Sequence, residues 1–193
     1  MTNPELPARL DRLRGLMKTL SLAAVLVPRG DEHLGEYVPP SAERLAWLTG
    51  FTGSAGLAVI LADRAALFVD GRYTLQAGQQ APKGLYEIRH LMREPYAEWL
   101  KSALSPDARV GFDPWLHSAD AVASLTKTLK AAGIEAVALA RNPIDAIWTD
   151  RPPPPLAPVV PHAVAYAGVE SADKRAEIGR ALIDAGAGAT VLT

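Results

Sequence analysis

The chain has 193 residues, of which 49% are hydrophobic, 21% charged and 6% aromatic, enough apolar surface for one folded core and the beginning of another. With 20 basic side chains against 21 acidic ones and a formal charge of -1, it lacks the positive field that non-specific nucleic-acid binding draws on, so no nucleic-acid partner is expected. There are no cysteines, which excludes disulfides, thiolate zinc sites and cysteine nucleophiles and suits a reducing, cytoplasmic compartment. The opening stretch Met1 to Leu10 is polar, carries Pro4 and Pro7, and does not read as a secretory signal. No apolar run reaches the roughly 20 residues of a membrane helix, so no membrane partner is expected either.

From Pro7 to Leu20 the residues Leu10, Leu13, Leu16, Met17 and Leu20 recur at spacings of three and four, which predicts an amphipathic helix. Leu22 to Val27 is a continuous branched-apolar run, the pattern of a strand covered on both faces, and Pro28 with Gly30 ends it. Ser41 is placed to cap a short helix through Leu48, after which Gly50, Gly53 and Gly56 break the pattern. Leu57–Leu61 and Ala65–Val69 read as two strands whose three-residue connection, Ala62-Asp63-Arg64, favours an antiparallel hairpin. Tyr73–Ala81 and Tyr96–Leu104 read as helices, Leu85–Leu91 and Arg109–Phe112 as strands. Ser118–Ala132 is a helix whose Ala121, Leu125, Thr128, Leu129 and Ala132 share a face and which Gly133 ends; Ile134–Leu139 is again β. Helices alternating with strands, plus one hairpin, give an α/β domain with a mixed β-sheet flanked by helices.

Asn142-Pro143 starts a last short helix, asparagine at the cap and proline at the first helical position. Arg151-Pro-Pro-Pro-Pro-Leu-Ala-Pro158 then forbids regular helix or central strand and reads as a stiff linker, its four prolines spanning about 12 Å. Beyond it, Ser171 is placed to cap a helix running to Asp184, and Ala189–Thr193 is strand-like. A shift of 166 residues lays Arg9 on Arg175, Arg14 on Arg180, Leu16 on Leu182 and Val25 on Val191. Either two helix–strand units match by composition, or a duplicated domain has just begun. About 26 residues are too few for an independent core. The expected division is therefore residues 1–158 as one domain and 159–193 as linker and truncated start of a second, in a fragment of a longer protein.

Several motifs bear on chemistry. Asp31-Glu-His33-Leu-Gly-Glu36 gathers two acids and an imidazole, but no second cluster completes a metal site, and it reads as a polar loop or one wall of a site. Gly50-Phe-Thr-Gly53-Ser-Ala-Gly56 resembles a phosphate loop but leads into a strand rather than a helix, so its glycines are read as structural. Ser54 lacks the Gly-x-Ser-x-Gly context of a nucleophile. Asp70-Gly-Arg72-Tyr73 sits where a strand ends and a helix begins, an edge at which α/β proteins place functional groups. Asp70 is placed to cap that helix, and Arg72 either pairs with a ligand carboxylate or with Asp70 itself. Trp47, Trp99, Trp115 and Trp148 read as core or domain-contact residues.

Asp31–Pro40, Trp47–Gly56, Asp70–Ala77, Gly111-Phe-Asp-Pro114 and Asn142–Pro152 occur in one order, and together they resemble the N-terminal region of the three-domain Xaa-Pro aminopeptidases of the creatinase and prolidase superfamily. The resemblance implies a creatinase N-terminal-like fold, a second similar domain, and a C-terminal pita-bread catalytic domain that is absent here. It implies a parent that removes the N-terminal residue preceding proline, using two divalent metal ions, usually manganese, and that forms a homodimer through the catalytic domain. The fragment itself is expected to be inactive, to hold no metal or other cofactor, and to shape substrate access through Asp31, His33, Glu36, Asp70, Arg72 and Tyr73. Peptides with proline in second position are the implied partners of the parent. A prolidase or creatinase domain, or an inactive peptidase-like module as in a histone-chaperone subunit, would share the resemblance.

Overall fold

The computed structural model describes residues 3–191, which divide after Pro155 into two compact units. The first runs α1 (Leu6–Thr19), β1 (Ala24–Pro28), α2 (Arg44–Thr49), β2 (Gly56–Leu61), β3 (Ala65–Val69), α3 (Thr74–Gln80), β4 (Glu87–His90), α4 (Tyr96–Ala103), β5 (Arg109–Phe112), α5 (Ala119–Lys130), β6 (Glu135–Ala138) and α6 (Pro143–Ile147). Its six strands form one sheet in the order β4-β3-β2-β1-β5-β6. β2 pairs antiparallel with both β1 and β3, while β3–β4, β1–β5 and β5–β6 pair parallel. Five strands thus run one way and β2 alone runs back, the mixed sheet that one hairpin among alternating helices requires.

Period-2 alternation sorts the strand side chains onto two faces. Val25, Val27, Ala58, Ile60, Leu67 and Val69 pack with Leu10, Leu13 and Met17 of α1, Leu45 and Leu48 of α2, Ala77 of α3 and Ile144 of α6. Ala24, Leu26, Val59, Phe68, Val110 and Phe112 pack with Trp99 and Leu100 of α4 and Leu125 and Leu129 of α5. Helices cover both faces, which is why the central strands read as unbroken apolar runs. Burying each large side chain, Leu13, Phe51 or Phe68, contributes about 1.5–3 kcal/mol against the entropy of ordering it.

The local signals are mostly visible. Asn142 accepts from the Ile144 amide at 2.9 Å and Pro143 opens α6; Ser118 accepts from the Ala121 amide at 3.2 Å; Gly133, at φ +71°, follows α5. Three caps differ from expectation. Ser41 lies inside a short 3-10 turn, Pro40–Ala42, and makes no cap, because Pro39 is extended and Pro40 opens that turn, which leaves Glu43 at the cap position of α2. Asp70 spends its carboxylate on Arg72 rather than capping α3, whose cap position is Tyr73. Ser171 is the first residue of the helix Ser171–Asp184, not its cap, and its hydroxyl accepts from Arg175 Nη1 at 2.6 Å. On α5, Val122 rather than Ala121 packs inward.

The second unit holds α7 (Val164–Ala167) and α8 (Ser171–Asp184) with Gly168 between them at φ +79°. Neither helix buries a side chain. Residues 189–191 are not in a strand, consistent with a ladder needing a partner, and Leu192 and Thr193 of the expected strand lie outside the described residues. Among the described residues no helix is long and apolar enough to cross a membrane.

Candidate functional site

Because five strands point one way and β2 returns, the loops after β1, β3, β4, β5 and β6 and the loop before β2 all meet at one end of the sheet. This is the carboxyl end at which open α/β sheets place ligands. All six residues expected at the site lie in the loops of this rim, but they do different things.

Asp31 is buried, and its Oδ1 accepts from the amides of His33 at 3.1 Å and Gly35 at 3.0 Å, so it shapes its own loop. His33 is 83% exposed on that loop, its Nε2 4.0 Å from Glu32 Oε1. Glu36, by contrast, reaches across to the loop before β2: its Oε1 accepts from Ser54 Oγ at 2.8 Å. Ser54 Oγ is also 2.9 Å from Tyr73 Oη. The Tyr73 ring stands edge-on to Phe51 at 5.7 Å, and a Cβ on Gly53 would fall 2.2 Å from Phe51 Cζ and 2.9 Å from Tyr73 Cδ1. Only glycine at 53 lets the two rings lie against the backbone, the structural use expected of that motif.

Arg72 places Nε at 2.9 Å and Nη2 at 2.6 Å from Asp70 Oδ2, while its amide donates to Oδ1 at 2.9 Å. These bonds hold the Asp70 carboxyl below its ordinary value of 3.8, and Asp70 in turn raises Arg72, with a smaller push from the charge of Glu36. The guanidinium lies over the Tyr73 ring at 5.2 Å. Glu36, Ser54, Tyr73, Arg72 and Asp70 are therefore one connected group of acceptors, hydroxyls and a cation, and Asp31 and His33 stand apart from it. The group can bind and orient. Ser54 donates to the Glu36 carboxylate and touches no imidazole, so the group does not contain a serine–histidine pair.

The sequence reading missed a second constellation at the same end. Arg44 Nε and Nη2 meet Asp145 Oδ1 and Oδ2 at 2.7 and 2.9 Å, and Arg151 Nη1 reaches Oδ2 at 2.6 Å. Arg151 Nε also donates to Ser41 O at 2.7 Å, tying the segment after α6 back to the start of α2. Asp113 joins in by accepting from Asn142 Nδ2 at 2.8 Å. A cavity of about 550 Å³ lies here, lined by Arg44, Asp113, Trp115, Arg141, Asp145 and Arg151 among others. Trp115 is 74% exposed, unlike the buried Trp47, Trp99 and Trp148. A lone arginine opening the apolar run of α2, and an aspartate between two isoleucines of α6, were the available signals.

Among the described residues no group of three or more histidine, aspartate or glutamate side chains is placed to hold a metal ion. Asp31 is committed to amides, His33 faces water and Glu36 holds Ser54, so the residues present do not fit a metal centre.

Residues 9–147 match the Creatinase/Prolidase N-terminal domain family. The chain is 40% identical over 182 residues to Aminopeptidase P2 of Arabidopsis thaliana, covering 90% of the chain and 25% of that protein. It is similar to the crystal structure of an X-prolyl aminopeptidase from Caenorhabditis elegans, a cytosolic enzyme with a di-nuclear active site, at a TM-score of 0.82 and 32% identity over 95% of this chain and 32% of that one. The N-terminal domain of the cytoplasmic peptidase PepQ from Mycobacterium tuberculosis H37Rv shares the fold at a TM-score of 0.55 and 25% identity, over 72% of this chain and 98% of that one. The chain thus spans about a quarter of the length of the curated relatives it matches. With a sheet of this topology and a family match across most of its first unit, the chain belongs to the creatinase/prolidase N-terminal domain family.

Proposed function

We propose that the chain is the non-catalytic N-terminal part of a metal-dependent Xaa-Pro aminopeptidase and that its rim shapes the access of peptide substrates. One observation carries this reading: the rim gathers donors and acceptors, Arg72, Tyr73, Glu36 and Ser54, in a chain that spans a quarter of the aminopeptidases it resembles. The Arg72 guanidinium, already oriented by Asp70, has three N–H groups left to present to a peptide oxygen, and the loop carrying Asp31 and His33 walls off long or folded chains. Hydrolysis belongs to the rest of the parent protein, with its two divalent ions, manganese by family resemblance. No hydrolytic step is assigned to the residues described here. Peptides with proline in second position are the substrates, dimerisation uses the catalytic part, and the parent works in the cytoplasm.

On this reading residues 159–193 open a second, similar domain after the first, 1–158. The equal length of α1 and α8, 14 residues each, and the correspondence of Arg9 and Arg14 with Arg175 and Arg180 support it. The test is made in two arms. Residues 1–193 with added manganese leave a Xaa-Pro tripeptide intact, whereas chelator-sensitive turnover would overturn the reading. In the full-length protein, Arg72→Ala raises KM for that tripeptide about tenfold, the worth of one charge-assisted hydrogen bond. If KM and the preference for short peptides stay unchanged, the rim has no part in access.

A further inference from the structure

Ser54 was dismissed as a nucleophile, yet its hydroxyl stands between two side chains of the rim, 2.8 Å from Glu36 Oε1 and 2.9 Å from Tyr73 Oη. A serine hydroxyl has one proton to give, and a carboxylate only accepts. That proton goes to Glu36. The bond to Tyr73 must then run the other way, the phenol donating to Ser54 Oγ. The outcome is a one-way chain from Tyr73 through Ser54 to Glu36 that spans three loops of the rim, with partners 18 and 19 residues from Ser54 in sequence. The absence of a side chain at Gly53 and the packing of Phe51 hold the Tyr73 ring in place for it.

The direction of the chain has a chemical consequence. With its proton committed, Tyr73 Oη can only accept from any further partner, whereas the Arg72 guanidinium stacked on the same ring can only donate. An acceptor beside a donor is the complement of a peptide, which offers N–H and C=O groups together. Removing the Ser54 hydroxyl frees the Tyr73 proton and lets the phenol turn donor, which spoils that complement without touching Arg72.

We propose that Ser54 is a positioning residue of the rim: it ties the loops bearing Glu36 and Tyr73 together and fixes Tyr73 as an acceptor, so that Tyr73 and Arg72 engage a peptide as an acceptor–donor pair. The ligand rests on the function proposed above; the tie itself does not.

Two measurements test it, with Ser54→Ala and Ser54→Thr as variants, the second keeping the hydroxyl. In the 193-residue chain, amide hydrogen exchange of residues 32–37 rises about tenfold in Ser54→Ala, returns to within about twofold in Ser54→Thr, and rises little further when Ser54→Ala is added to Glu36→Ala, which removes the acceptor. Unchanged exchange in Ser54→Ala, or full additivity with Glu36→Ala, overturns the tie. In the full-length protein, Ser54→Ala raises KM for a Xaa-Pro tripeptide about tenfold, with kcat within about twofold, and Ser54→Thr restores it. A fall in kcat at constant KM, or no change while Arg72→Ala still raises KM, overturns the role of Ser54 and leaves the access function standing. A full-length protein without Xaa-Pro hydrolysis overturns the access function and this ligand with it, and the exchange data then decide the tie by themselves.

Discussion

Arg44 with Asp145, and Arg72 with Asp70, are the same chemical pair in opposite surroundings. The Arg44 side chain is 7% exposed and its guanidinium spans both carboxylate oxygens, with Arg151 sharing Oδ2 of Asp145. The Arg72 side chain is 65% exposed and places two nitrogens on one oxygen of a neighbour two residues away. In the first pair the partners come from α2 and α6, 101 residues apart, so the bond joins elements of the fold. In the second the bond preorganises one loop. A buried pair is expensive to break because the surviving charge has no water to fall back on, whereas an exposed pair exchanges its partner for solvent or ligand at little cost. The difference separates a clasp of the fold from a pair open to exchange.

Four experiments break or sharpen that contrast. Asp145→Ala strands two guanidiniums, one of which already has a buried N–H without a partner, and is expected to cost about 3 kcal/mol of unfolding free energy in urea titrations. Replacing Arg44 and Asp145 together by Met and Leu should cost less than either single removal; an equal or larger loss would mean the pair is worth more than its desolvation.

His117, in the loop after β5 with its ring edge-on to Phe112 at 5.7 Å, stands between the extremes. Burial lowers its pKa below 6.5, only partly opposed by the charge of Asp113. The unfolded chain therefore binds the proton more readily than the folded one. The His117 contribution to stability is intact above pH 6.5 and is lost as pH falls from there toward the lower folded value. His117→Phe should flatten the fall in urea midpoint below pH 6.5, and an unchanged slope would show that His117 titrates alike in both states.

The smallest stability effect belongs to Arg72→Ala, whose thermal midpoint at pH 7 should match the parent within error. A clear drop would make Arg72 part of the clasp rather than of the rim.

Much of the framework was legible because it rests on short-range rules. Strand Arg109–Phe112 and the hairpin Leu57–Val69 announce themselves by apolar runs and a three-residue turn, and the Asn142 cap by its own dipeptide. Ser41 and Ser171 show where such rules fail: a good capping residue next to a proline pair, or one position inside the helix, has the right chemistry in the wrong geometry. The site was legible only in part. Asp70 and Arg72 are neighbours and could be paired on paper, although the cap assigned to Asp70 gave way to that pairing. The roles of Ser54 and Asp145 depend on partners 18 to 101 residues away, and no local pattern carries that information.

The turn Ala62-Asp63-Arg64 joins β2 to β3 at the end of the sheet away from the rim, and Asp63 there is exposed. Because the chain contains no cysteine, Asp63→Cys would give it a single thiol on that turn. A fluorophore attached there reports rotational tumbling and docking while leaving every loop of the rim chemically untouched.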